Sequence, residues 1–303
     1  MSGPVTRRNG RVPYNRRVLE DYVREGIRRA GIKPSRARGQ HFLIDDEVLG
    51  RVVRAAQLTG EEYVVEIGPG LGQLTRALAG RCHRLVAFEL DDDIVRYLKG
   101  WVLPDTRNVV LEDVAFNKYV FEPVIAEAQA AGRSLKIVTN LPYQISSAFL
   151  HTVVEYADSL ALTVVMLQRE VAQRVVAGVG DPGYNSFSLY LKTFLEANWV
   201  CDVPPESFYP VPKIASAVIS LATLTPDRQP QPVNHELYLS LVEGVFMHQR
   251  KQLTNALRLA FPHLSAEQVG QALEAAEISA KARPQELSMA DYVRLADVLA
   301  GLP

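Results

Sequence analysis

Between residues 63 and 167 the sequence alternates short apolar, β-branched runs with longer stretches of helical spacing, and few folds accept that pattern. The runs fall at 63–67, 84–89, 108–111, 136–139 and 162–167, separated by helical stretches at 71–80, 91–100, 118–131 and 146–156. Such repetition places the strands parallel in one sheet with helices on both faces. Two more strands are expected at 199–203 and 217–224. A Pro-rich stretch, 204–212, joins them without a helix, so an antiparallel pairing at a sheet edge is expected. The predicted architecture is α/β: a seven-stranded, Rossmann-like sheet with an antiparallel edge pair.

The flanks are different in kind. Residues 1–15 read as irregular, whereas 16–30 carry Val18, Leu19, Tyr22, Val23 and Ile27 at helical spacing. A helix over about 45–57 is opened by Asp45 or Asp46. Residues 225–233 hold three prolines and two glutamines and read as a linker. Beyond them helices are expected at 234–248, 251–261, 266–276 and 289–300, with Ser265 and Ser288 as N-caps of the last two. The expected domains are a basic extension (1–38), a catalytic domain (39–224), the linker (225–233) and a small all-α domain (234–303).

Charge is uneven. The first 38 residues carry eleven Lys/Arg against three acids, or +8, so the remainder of a chain with net charge -1 is -9. A basic arm on an acidic body suits contact with a polyanion; a solvated terminus would show the same charges. A transit peptide is disfavoured by Glu20, Asp21 and Glu25 within the basic run. No apolar run approaches the ~18 residues of a membrane span. The two cysteines, Cys82 and Cys201, are too few for a disulfide framework or zinc site and suit a reducing, cytoplasmic setting. No metal site is expected.

The first strand leads into Glu66-Ile67-Gly68-Pro69-Gly70-Leu71-Gly72-Gln73-Leu74-Thr75. A dinucleotide loop needs its third glycine three residues after the second; Gly72 comes two after Gly70. That spacing disfavours a pyrophosphate and suits a nucleoside without phosphate, such as S-adenosylmethionine. The second strand ends in Glu89, placed to accept both ribose hydroxyls, with Leu90 beside it. The third ends at Asp113, an acceptor for the adenine amine of that ligand or a turn residue, and Val114 can offer its N–H to the ring. Asp91, Asp92 and Asp93 are assigned to the next helix N-terminus.

The fourth strand runs into Asn140-Leu141-Pro142-Tyr143. An exocyclic adenine amine is a weak nucleophile because its lone pair is delocalised into the ring. The Asn140 side-chain oxygen and the Leu141 carbonyl can each accept one N–H, which favours a pyramidal nitrogen. Pro142 fixes the turn that presents them, and Tyr143 offers a face for the base. The alternative is a plain strand-end turn, but the motif sits on the sheet edge where ligands bind.

On these motifs the chain resembles the ribosomal RNA small-subunit adenine N6-dimethyltransferase family over about residues 30–300, and the sheet resembles the common S-adenosylmethionine-dependent methyltransferase fold. The family's opening Gly-Gln-Asn-Phe-Leu corresponds to Gly39-Gln40-His41-Phe42-Leu43, with His where the family has Asn. The resemblance places Gln40, His41 and Leu43 at the methionine end of the donor, alongside Glu66, Gly68, Gly70 and Gly72. Further matches are 165–172, Phe208–Val218, Phe246–Leu253 and Pro284–Ser288. The resemblance implies that Phe208 faces Tyr143 so that a flipped adenine is sandwiched; a core aromatic is the other reading. Lys213, Arg250, Lys251 and Arg258 are candidate RNA contacts, with solvated surface as the alternative.

The implied activity is dimethylation of two adjacent adenosines near the 3′ end of small-subunit rRNA, linked to subunit maturation. The expected partner is a preassembled small ribosomal subunit carrying 16S-type rRNA, met by a monomer, with no membrane involved. Two competitors remain: a large-subunit rRNA methyltransferase of the antibiotic-resistance type, and a ribosome assembly factor with dispensable catalysis.

Overall fold

The computed structural model describes residues 16–34, 40–224 and 231–302. The irregular start at 1–15, Arg36, Arg38 and most of the expected linker therefore lie outside the described residues. The strands are β1 (Phe42–Leu43), β2 (Tyr63–Ile67), β3 (Arg84–Glu89), β4 (Val109–Asp113), β5 (Leu135–Asn140), β6 (Leu162–Gln168), β7 (Leu195–Val203), β8 (Phe208–Tyr209) and β9 (Ser216–Thr223). The helices are α1 (Arg16–Ala30), α2 (Asp46–Ala55), α3 (Gln73–Ala79), α4 (Asp92–Trp101), α5 (Lys118–Ala130), α6 (Ser146–Glu155), α7 (Arg169–Val176), α8 (Ser186–Phe194), α9 (His235–Phe246), α10 (Leu253–Ala260), α11 (Ala266–Ala275) and α12 (Met289–Ala300).

Seven strands form one mixed sheet in the order β4-β3-β2-β5-β6-β9-β7. The five consecutive strands β2 to β6 are parallel, and β9 lies antiparallel to β6 at the β9-β7 edge. This is the predicted S-adenosylmethionine-dependent methyltransferase plan. Every residue of β2 is buried, as a central parallel strand covered on both faces requires. The chain leaves β2 toward β3 on one side, and leaves β5 toward β6 on the other. The strand order therefore reverses between β2 and β5, and a crevice opens above their C-terminal ends.

By contacts the chain divides into two units. The first holds the described residues up to Arg169 together with Asn198–Leu221. Its core under the crevice includes Val48, Leu49 and Val52 of α2, Leu74 and Leu78 of α3, and Val64, Val138 and Val164 of the sheet. Asp45 is the N-cap of α2, accepting from Glu47 N and Val48 N. Cys82 and Cys201 are both buried and free. No helix among the described residues is long and apolar enough to cross a membrane.

The second unit holds Glu170–Ala197 and residues from Ala222 onward. The expected division at 225 left 170–197 with the sheet, whereas here they join the C-terminal helices. Tyr184 and Leu189 explain the difference: both are buried in one apolar cluster with Tyr238, Leu257, Leu273 and Tyr292. Tyr184 Oη donates to Leu287 O at 2.9 Å, and Tyr292 Oη to Pro284 O at 2.9 Å. Ser265 and Ser288 both cap their helices through reciprocal capping boxes, as expected.

One buried ion pair ties the base of the first unit together. Lys136 Nζ lies 3.1 Å from Glu62 Oε1 and donates to Ala56 O and Gln57 O at 3.1 and 2.7 Å. Burial alone pushes the Glu62 carboxyl up, but the Lys136 ammonium and the Thr59 donors outweigh it and hold it at about 2. The pair's contribution is therefore present above the ordinary 4.5 and is lost as pH falls toward 2. Lys136→Met strands Glu62 and is expected to lower unfolding free energy by about 3 kcal/mol in denaturant titration at neutral pH. Adding Glu62→Leu is expected to recover most of that loss.

Candidate active site

The geometry starts where the β2–β5 ladder stops. Its last paired residues are Val65 and Ile137, and beyond them the strands separate. The Thr139 hydroxyl fills the gap: it donates to Ile67 O at 2.7 Å and accepts from Ile67 N at 3.3 Å. Thr139 is wholly buried, so this hydroxyl satisfies backbone groups that water cannot reach. The next residues on the two strands are Gly68 and Asn140, the first members of the two motifs.

Gly68 has φ of 66°, and a Cβ there would stand 3.0 Å from Pro142 Cγ. A glycine is thus required both by the left-handed backbone and by the proline of the 140–143 turn pressed against it. Gly70 is similar: φ is 54°, and a Cβ would meet the Phe42 ring at 3.2 Å. The glycine loop is therefore in van der Waals contact with both other parts of the site, the 140–143 turn and the 40–43 segment. Gly72 plays another part. It does not line the cavity, and a Cβ there would strike Val102 at 2.9 Å, so it serves the packing of α4 rather than ligand contact.

The crevice is a cavity of about 810 Å³. It brings together Gln40, His41, Leu43, Glu66, Gly68, Gly70, Glu89, Leu90, Val114 and the whole Asn140–Tyr143 turn. Gln40 Nε2 donates to Asp91 Oδ2 at 3.0 Å, which ties the 40–43 segment to the N-terminus of α4. Asp91 is the N-cap of that helix, as expected of the acidic triplet. His41 Nδ1 lies 2.7 Å from Pro210 O; a carbonyl only accepts, so Nδ1 carries the hydrogen and leaves Nε2 open. The His41 and Tyr143 rings are 6.4 Å apart and within 26° of parallel. Tyr143 Oη is anchored to Ser216 Oγ at 2.7 Å.

Two carboxylates dominate the electrostatics. Glu89 Oε1 accepts from Leu90 N and Asp91 N at 2.9 and 3.0 Å, which fixes its orientation, and burial pushes its carboxyl upward. Glu66 is 1% exposed and its Oε2 has no hydrogen-bond partner. Burial, with the Glu89 charge nearby, pushes Glu66 up to about 8. A buried carboxyl with one oxygen unpartnered, lining a cavity beside glycines against which ligand atoms can pack closely, fits a cationic nucleoside such as S-adenosylmethionine.

Two further sequence-predicted residues, besides Gly72, stand elsewhere. Phe208 is 1% exposed in the core with Leu43, Met166 and Val203, and pairs with Leu43 in the β1–β8 ribbon. It therefore supports the wall from behind and presents no open face to Tyr143. Asp113 does not line the cavity; its carboxylate points to Lys99 Nζ at 3.8 Å and is 46% exposed. At that strand end Val114, Ala115 and Phe116 line the cavity instead. Phe116 is braced edge-on by Phe88 at 5.6 Å, and no motif pointed to either ring. Lys213 is exposed in the first unit; Arg250, Lys251 and Arg258 are exposed in the second. No group of three or more potential metal ligands occurs among the described residues.

Glu66 makes a pH-dependent prediction. Its carboxyl ionises near 4.5 when unfolded and near 8 when folded, so between these values the folded chain holds the extra proton and stability falls as pH rises. Glu66→Gln removes this liability. The gain in melting temperature of the ligand-free variant over the parent is expected to grow between pH of about 5 and about 8.

Comparison with known proteins follows the same lines. A family profile described as ribosomal RNA adenine dimethylase matches residues 33–301. Ribosomal RNA small subunit methyltransferase A of Ligilactobacillus salivarius is 35% identical over 94% of this chain and 93% of its own length. The Bacillus pumilus protein of that name is 35% identical over 91% of this chain and 95% of its own. A dimethyladenosine transferase structure from Plasmodium falciparum superposes with a TM-score of 0.71 at 22% identity, covering 84% of this chain and 96% of the other, which shows a shared fold. With nearly the whole chain matched from the 40–43 segment through the C-terminal helices, this protein belongs to the ribosomal RNA adenine dimethylase family.

Proposed function

We propose that this chain transfers methyl groups from S-adenosylmethionine to N6 of two adjacent adenosines near the 3′ end of small-subunit rRNA, two to each. The observation that carries the reading is the contact between the donor loop and the amine-directed turn: Gly68 against Pro142, with Thr139 holding Ile67. This contact supports reading the cavity as a nucleoside site and an amine site side by side. The small-subunit target is supported by the shared name of the bacterial relatives.

The bound donor supplies a methyl group on a sulfonium, already electrophilic. Glu66 and Glu89 offset its positive charge, Glu89 receives the ribose hydroxyls, and the exposed Leu90 and half-buried Val114 flank its adenine. Gln40, His41 and Leu43 enclose the methionine end. Asn140 Oδ1 and the Leu141 carbonyl accept the two N–H groups of the target amine and draw its lone pair out of conjugation. Tyr143, held by Ser216, gives the extruded base a stacking face. The surplus proton leaves the alkylated nitrogen for water, so no strong base is required. After one transfer the amine retains one N–H, and one acceptor still orients it for the second.

The exposed Lys213, and separately the exposed Arg250, Lys251 and Arg258, are assigned to RNA backbone contacts. The substrate is a preassembled particle met by a monomer in the cytoplasm, because a folded subunit offers shape that naked RNA lacks.

The test is mass spectrometry of rRNA after incubation with labelled donor and undermethylated small or large subunits in parallel. Dimethyladenosine is expected in the small subunit alone. Asn140→Ala is expected to slow transfer by about 100-fold or more while particle binding persists. Label in the large subunit would reassign the target. Absence of transfer by the unmodified protein, with particle binding intact, would leave an assembly factor.

A further inference from the structure

The helix α1 precedes the family match, which begins at residue 33, yet its buried face is directed at the donor loop. Tyr22 Oη donates to Leu71 O at 2.7 Å. Leu71 lies between Gly70 and Gly72 and is wholly buried. Val23 is also wholly buried, in a cluster with Leu71, Phe42, Ile94 and Leu98. At Gly26 the helix comes so close that a Cβ would stand 3.0 Å from Tyr97 Oη and 3.1 Å from Leu71 Cδ1.

A second set of contacts reaches the other side of the cavity. The Arg24 guanidinium lies 4.2 Å over the Tyr209 ring. Tyr209 pairs with Phe42 in the β1–β8 ribbon, and the Phe42 ring is the group against which Gly70 closes. The helix therefore grips the glycine loop through Tyr22 and, through Arg24 on Tyr209, the strand that pairs with the 40–43 segment. Two more of its arginines are engaged as well: Arg28 and Arg29 pair with Glu25, and Arg29 covers the Trp101 ring at 3.9 Å.

We infer that α1 is part of the methyl-donor site, a strap whose Tyr22 and Gly26 position Leu71 and so set the conformation of the Gly68–Gly72 loop. Both are positioning residues; neither lines the cavity. A loop with left-handed glycines at every second position, 68, 70 and 72, has large conformational freedom of its own. An external hydrogen bond to the Leu71 carbonyl within it restricts that freedom before ligand arrives, and preorganisation is read as affinity. The inference rests on the assignment of the cavity to the donor.

The experiment measures binding of S-adenosylhomocysteine to the full chain by calorimetry, alongside steady-state constants on small subunits. Tyr22→Phe keeps the ring and removes only the hydroxyl; it is expected to weaken binding about 3- to 10-fold. Gly26→Val, which pushes the helix off Leu71, is expected to weaken it by more than about tenfold. In Tyr22→Phe the donor KM rises in step, saturating donor restores kcat, and the KM for small subunits stays within about twofold. A helix that merely stabilised the fold would lower both affinities or neither. Glu89→Ala is the reference variant. If it loses affinity while folded Tyr22→Phe and Gly26→Val bind within about twofold of the parent, the strap is refuted. If Glu89→Ala itself binds like the parent, the donor assignment of the cavity fails, and the strap with it.

Discussion

A single buried hydroxyl holds the two halves of the site in register. Parallel strands share a ladder only while they run side by side, and at the reversal point between β2 and β5 they must part for their loops to diverge. Thr139 meets both polar groups of Ile67 at the place where the ladder gives out. Removing it would leave a buried N–H and C=O unpaired, at about 1–3 kcal/mol each. The geometric result matters more than the energy. Gly68 follows Ile67 and Asn140 follows Thr139, so the bond that closes the ladder also sets the distance between the donor loop and the amine-directed turn.

The electrostatic design follows from that geometry. Glu66 and Glu89 are the buried carboxylates among those that line the cavity, and the more deeply buried of them has an oxygen with no partner. In the empty protein this is a liability, expressed as the raised Glu66 carboxyl. Opposite a cationic ligand the same arrangement is favourable, because ionisation is then compensated by an opposite charge. Burial at the base of the sheet works the other way, where Lys136 answers Glu62 directly and no ligand is needed.

Much of this was legible in the sequence because it rests on local pattern. The alternation of runs and helices, the positions of Gly68 and Gly70, the turn at 140–143 and the serine caps all depend on neighbours within a few residues. The errors have a common cause in side-chain direction. Asp113 was assigned from its place at a strand end, but which face its side chain takes there depends on register, and its carboxylate is directed at Lys99 of α4. Phe208 was assigned by motif, but its fate depends on pairing with Leu43, some 165 residues away. Two-residue ribbons such as β1–β8 carry no periodicity to detect. The grouping of 170–197 with the C-terminal helices was likewise hidden, since it rests on Tyr184 and Leu189 meeting side chains such as Leu257, Leu273 and Tyr292, far downstream in the sequence.

The central claim is that donor loop and amine-directed turn share one cavity. A crystal structure of the protein with S-adenosylhomocysteine tests it most directly. The account predicts ribose hydroxyls on Glu89, the sulfur beside Gly68, and the Asn140 side-chain oxygen open toward the space next to that sulfur. Ligand bound outside the cavity, or a sulfur separated from Asn140 by the wall that Phe208 supports, would contradict it.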